Sequence, residues 1–199
     1  MVAPWDEVAV DLIGPWKIKV KNQTFVFNAL TCIDPVTNLV EIIRIQNKTS
    51  EHVAQQFENC WLSRYPSPNR CVYDNGGEFC GNEFQRMLIK HEVFPAGTTV
   101  KNPQSNGICE RMHQSVADIL QVIMRTTKIE TGAQAGQVMD NALATCQHAL
   151  RCAVNHTMQT SPGNLVFRRD MFINVPVHAN LQPVQTANFE VPIPTCRPL

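Results

Sequence analysis

Residues 7–45 read EVAVDLIGPWKIKVKNQTFVFNALTCIDPVTNLVEIIRI, and the reading of this stretch decides the fold. EVAVDLI (7–13) alternates in strand fashion and stops at Gly14-Pro15; TFVFNALTCI (24–33) reads as a second strand closed by Asp34-Pro35. LVEIIRI (39–45) is a third, rich in branched residues. Connections this short favour an antiparallel meander. Lys17, Lys19 and Lys21 alternate within KIKVKN and so share one face. They form either a stripe for phosphate contact or, more simply, a solvated hairpin edge guarded by lysines.

Downstream, Thr49 or Ser50 caps a helix through SEHVAQQFENCWLSRY, with Val53, Phe57, Cys60 and Trp61 at helical spacing, and Pro66 and Pro68 stop it. CVYD (71–74) is a fourth strand ahead of the turn Asn75-Gly76-Gly77, GNEFQRMLIKHE (81–92) a second helix, and VFPAG (93–97) a fifth strand. A loop from Thr98 to Asn106 leads into a helix over about 104–128, another spans about 134–155, and Pro162 opens a short last one. After Val177 the chain turns Pro-rich, as a tail or linker does, and no internal repeat is found. Three strands, then helix–strand–helix–strand, then helices: this order predicts an α/β fold with a sheet of mixed direction and helices on its faces.

The 199 residues suit one medium domain, and 44% apolar with 17% charged residues is a globular composition. No apolar run approaches the roughly 20 residues a bilayer span needs, and MVAPWDEV lacks a signal-peptide pattern. The expectation is a soluble, intracellular protein of nucleus or cytoplasm, with no membrane partner. Eight cysteines without a C-x-x-C pair read as reduced, mostly buried thiols. Cys109 is one of these, and packing is its default role. Seventeen basic residues balance 17 acidic ones, so any phosphate binding must use local patches or borrow basic surface from elsewhere.

Three acids stand in unlike places. Asp11 lies inside an apolar strand, where a carboxylate is costly unless compensated. Asp74 falls at a strand end, where ligands bind in open α/β sheets. Glu110 lies on the long helix nearly opposite the stripe Ile108, Met112, Val116, Ile119 and Ile123, so it faces solvent or a cleft. Singly, each has an ordinary reading: a turn cap, an Asx-turn, a solvated helix residue. Together they suit two divalent cations used for in-line displacement at phosphorus, since hard cations need converging carboxylate oxygens. His148, Cys152 and His156 recur every four residues but match no usual zinc spacing, so a polar helix face is preferred to a metal site.

The motifs WDEVAVDLIGP, YDNGGEF, NPQSNGICER and TSPGNLVFRRD, with 35 residues between Asp74 and Glu110, resemble the catalytic core of retroviral and gypsy-type retrotransposon integrases from Trp5 to about Val175. The resemblance implies a ribonuclease-H-like fold with a five-stranded mixed sheet over residues 1–177, leaving 178–199 as tail. It makes Asp11, Asp74 and Glu110 the catalytic triad holding Mg²⁺ or Mn²⁺, two ions in all. The implied reaction is DNA 3′-end processing and strand transfer without a covalent enzyme intermediate. Pro103–Gly107 would be a flexible loop that positions DNA, with Lys101, Gln104, Ser105, Asn106, Arg111 and Gln114 as contacts. Partners would be element ends, target DNA and further copies of the chain. Gln114 and Ala117 stand where retroviral relatives carry basic residues, Asn106 where Gln is usual, and Arg168 where glycine is common. Neither a His/Cys zinc module nor a basic C-terminal domain is found in these residues. A rival reading is a truncated or domesticated domain that binds nucleic acid or protein without catalysis. A hybrid-cleaving nuclease ranks last, because such enzymes add a fourth carboxylate.

Overall fold

β1 (Glu7–Val20) organises the sheet: it pairs antiparallel with β2 (Gln23–Ile33) from Ala9 to Val20, and parallel with β4 (Arg70–Tyr73) through Glu7–Ala9. β3 (Val40–Ile45) flanks β2 and β5 (Phe94–Gly97) flanks β4, giving the order β3-β2-β1-β4-β5. This is the five-stranded mixed sheet expected from the order of patterns. The structure, a computed structural model, describes residues 2–97, 103–156, 158–169 and 171, and of residues 103–106 and 108 only the backbone. The expected tail after Val177, like Cys196 within it, lies outside the described residues.

Successive strand side chains point to opposite faces, and each face is apolar for its own reason. Val8, Val10, Leu30 and Cys32 meet Val53, Phe57 and Trp61, together with Phe84 and Leu88 of α3 (Asn82–Lys90). Ala9, Ile13, Ala29, Ile33 and Val72 meet α4 (Pro103–Thr126) at Met112, Val116 and Leu120, and α5 (Gly132–Cys152) at Met139 and Leu143. The result is helix, sheet, helix. Among the described residues no helix is long and apolar enough to cross a membrane.

Four expectations need correction. The first strand does not stop at Gly14-Pro15; the pairing with β2 resumes at Trp16–Phe27 after a register shift, and Gly14 absorbs the kink at φ 113°, a conformation that suits glycine. The first helix is not uniform. α1 (Ser50–Phe57), capped by Thr49, gives way to a π-helical turn, Glu58–Leu62, that carries Cys60 and Trp61 into the core. The NGG turn runs straight into a short helix, α2 (Gly77–Cys80), because Phe79 is pulled under Tyr73 and Phe84 at ring separations of 5.8 and 5.3 Å. Most consequentially, residues 103–106 are not loop: their backbone already forms the first turn of α4, with Pro103 at its first position, where the fixed φ and missing N–H suit a helix. The last helix, α6 (Pro162–Phe167), opens at Pro162 as expected and is capped by Ser161.

α5 is anchored to β3 by an ion pair shut away from water: Arg151 binds the Glu41 carboxylate and donates to the Val40 carbonyl at 2.9 Å, with side-chain exposures of 12% and 5% for Arg151 and Glu41. Tyr65 donates to the same carboxylate at 2.5 Å, and that contact with burial pushes its hydroxyl up to about 12. Removing one partner strands a buried charge, so Glu41→Ala should cost about 3–5 kcal/mol in urea unfolding. A loss below about 1 kcal/mol would show the pair to be unimportant to the α5–β3 contact.

Candidate active site

The parallel register of β1 on β4 does the first part of site assembly. Ala9 lies opposite Val72, and both face α4 and α5. Two residues on, the same register and face bring Asp11 alongside Asp74, which stands just past the end of β4. On the other side of Asp11 its β2 partner is Thr31, which faces the same way and is 1% exposed.

Each carboxylate is held locally. Asp11 Oδ1 accepts from Leu12 N–H at 2.7 Å, and Asp74 Oδ1 accepts from Gly76 N–H at 2.9 Å, the Asx-turn expected ahead of the glycines. A Cβ on Gly76 would lie 2.9 Å from Asp74 Oδ1 and 3.0 Å from Glu78 Oε2, so the glycine keeps open a space between two carboxylates. Burial, then the charges of Asp74 and Glu78, push the Asp11 carboxyl up to about 6, against the pull of the Leu12 N–H and of Lys48.

α4 lies over this end of the sheet. His113 reaches down between Asp11 and Thr31, with Nδ1 3.8 Å from Asp11 Oδ2 and Nε2 3.2 Å from Thr31 Oγ1. Burial pushes its imidazole down to about 4, so it is neutral near pH 7 and its approach to Asp11 is no ion pair. Glu110 sits one turn earlier on α4, exposed and off the apolar stripe, as helical spacing predicts. Cys109 beside it is pushed up to about 12 by burial and then by the Asp11 and Glu110 charges, so it stays a thiol and packs.

Of the expected DNA contacts, Arg111 and Gln114 are exposed on α4, Gln114 donating to Asp118 at 2.8 Å. Gln104, Ser105 and Asn106 lie on its first turns with side chains outside the description, and Lys101 is outside the described residues. Ala117 is exposed on the same face. Sequence reading missed His113, Thr31 and Glu78. The signals were slight: a histidine one turn after Glu110, a threonine within an apolar strand, an acid four residues past Asp74.

Among the described residues no three His, Cys, Asp or Glu side chains stand close enough to hold a metal ion together. The donors do fit a hard divalent cation in kind, being carboxylate oxygens throughout, and Asp11 bears a charge penalty that a cation would relieve. The His148/Cys152/His156 repeat does not make a site: His148 contacts Cys152 at 3.6 Å, but α5 ends at Cys152 and His156 lies exposed beyond it.

Residues 8–103 match the family model described as integrase core domain, a span that includes Asp11 and Asp74 and stops short of Glu110. The chain is 27% identical over 128 residues to the retrovirus-related Pol polyprotein from transposon TNT 1-94 of Nicotiana tabacum, covering 62% of this chain and 9% of that one. The fold is similar to the catalytic core of BIV integrase, at TM-score 0.61 and 17% identity over 82% of this chain and 95% of that one. It is also similar to a chain of the simian T-cell lymphotropic virus intasome in complex with PP2A regulatory subunit B56 gamma, at 0.67 and 17% over 91% and 60%. A third likeness is the HTLV-2 integrase catalytic core in complex with magnesium, in trimeric form, at 0.62 and 16% over 81% and 95%. At these identities the solved structures establish the fold.

The raised Asp11 carboxyl has a sign that can be checked. The fold favours its protonated form, so metal-free stability falls as pH rises from the ordinary 3.8 to about 6 and stays lower above that. Asp11→Asn should therefore raise the metal-free Tm more at pH 7 than at pH 4 in scanning calorimetry. An equal change at both pH values would contradict the strained carboxylate.

Proposed function

We propose that the chain is an integrase catalytic core, as the match of residues 8–103 to that family's model supports, and that it is a divalent-metal-dependent polynucleotidyl transferase acting on DNA. Its reaction is the trimming of retroelement DNA 3′ ends and their joining to target DNA. The observation that carries this reading is the placement of Asp11 beside Asp74 in the β1–β4 register, beneath the helix that bears Glu110. Asp11 and Asp74, brought together from two strands where the sheet ends, have no purpose in packing, and burial and charge penalise Asp11 there.

Asp11, Asp74 and Glu110 would hold Mg²⁺ or Mn²⁺, two ions when substrate is present. Bound there, the ions supply a nucleophilic oxygen at neutral pH and neutralise the charge on the departing 3′-oxygen. Asp11 sets the position of that centre, because β2 and β4 fix its strand on both sides. Asp74 is steadied by Gly76 N–H, which leaves its second oxygen free to bind. Arg111 and Gln114, exposed on the helix next to Glu110, would contact the sugar-phosphate backbone and fix the register of the DNA. Acting on target and element DNA, the chain would work inside the cell, in nucleus or cytoplasm, and as a homo-oligomer, a reading that the trimeric form of the HTLV-2 core supports.

A second reading keeps the fold and the DNA but not the chemistry. It is favoured by Gln114 and Ala117, both exposed and uncharged beside Glu110. Disintegration, the reversal of joining on short branched DNA with Mn²⁺, separates the two. Wild-type activity that falls at least about a hundredfold in Glu110→Gln, with the fold intact, is the expected result for a group acting at the reacting centre. Equal absence of activity in both proteins, with DNA still bound, would favour the second reading.

A further inference from the structure

We propose that His113 is a positioning residue: through the Thr31 hydroxyl it ties α4 to the sheet, and so sets where Glu110 stands relative to Asp11. This rests on the reading of those acids as a metal site. The Thr31 hydroxyl has one proton, and it donates that proton to the Asp11 carbonyl oxygen at 3.1 Å. At its other contact, 3.2 Å from His113 Nε2, the hydroxyl oxygen must therefore accept. The imidazole is the donor, which assigns its proton to Nε2.

Nδ1 stands 3.8 Å from Asp11 Oδ2, beyond hydrogen-bond reach. His113 therefore acts on Asp11 through Thr31 and not by pairing with its carboxylate. The chain of contacts is continuous, from the α4 imidazole to the β2 hydroxyl to the β1 carbonyl, and Asp11 and Thr31 are also strand partners. Thr31 is 1% exposed, so water is poorly placed to take over a lost contact. Glu110 lies one turn along the same helix, and a shift of α4 at His113 moves it directly.

The two ring nitrogens can be separated by substitution. His113→Gln keeps an amide donor near Nε2, His113→Asn places its amide near Nδ1, and His113→Phe keeps a ring with no hydrogen bond. Mn²⁺ titrated into the full chain and followed by electron paramagnetic resonance reads the assembly of the acids without any turnover. The Phe variant should bind Mn²⁺ at least about tenfold more weakly, as expected for partners that orient metal ligands. The Gln variant should return to within about threefold of wild type, Asn should stay as weak as Phe, and Thr31→Val should reproduce the loss without adding to it in the double variant. Wild-type affinity in the Phe variant, or rescue by Asn in place of Gln, would overturn the proposal. If wild type binds no Mn²⁺ that Asp11→Asn abolishes, it is the metal reading that fails. The ¹⁵N spectrum of the metal-free protein then decides for His113: an Nε2-protonated ring at pH 7 that loses this preference in Thr31→Val supports the tie, and an Nδ1-protonated ring refutes it.

Discussion

The parallel pairing of Ala9 with Val72 is the constraint on which the rest depends. It lasts only from Glu7 to Ala9, yet it decides which residues of two distant segments become neighbours, and on which face. Slipping the register by one residue would send the side chains of one strand to the opposite side of the sheet. Asp11 would then point into the aromatic layer around Phe57 and Trp61, where a carboxylate has no partner. The apolar residues at 8, 9, 10 and 13 forbid that slip, and Asp11 takes the position they leave it.

The cost of this arrangement is electrostatic. Asp11, Asp74 and Glu78 repel one another, and burial adds to the penalty on Asp11. The surroundings offset it in part, through N–H groups of Leu12 and Gly76 and the charge of Lys48. What remains is the condition of a site that gains free energy when positive charge arrives. The stability for it comes from elsewhere in the domain. Two apolar layers and the buried Glu41–Arg151 pair hold α5 and the sheet while the end of the sheet stays under strain. Glu78 is also the fourth acid that the rival nuclease reading asked for, though the integrase core match covers this very segment.

Much of the fold was legible because its signals are local. Alternation in EVAVDLI, branched residues in LVEIIRI and the threonine cap at 49 each act within a few residues, and each element formed where the pattern lay. The failures share a cause too. Gly14-Pro15 reads as a stop, yet β2 continues past it and carries β1 along. PQSNG reads as loop by composition, yet its backbone is helical from Pro103. The strand contexts of Asp11 and Asp74 and the helical spacing of Glu110 anticipated where each of them stands. His113 and Thr31 lie 82 residues apart and become a pair only when α4 crosses β2, so no local pattern could reveal them.

The central claim is that the acids form a working metal centre, and diffraction from crystals grown with Mn²⁺ tests it most directly. Anomalous scattering should place an ion within about 2.2 Å of one carboxylate oxygen from Asp11 and one from Asp74. Glu110 should turn inward from its exposed position towards the same centre. Crystals that hold Mn²⁺ only at other acids, or that show no ion between Asp11 and Asp74 at saturating metal, would contradict the account.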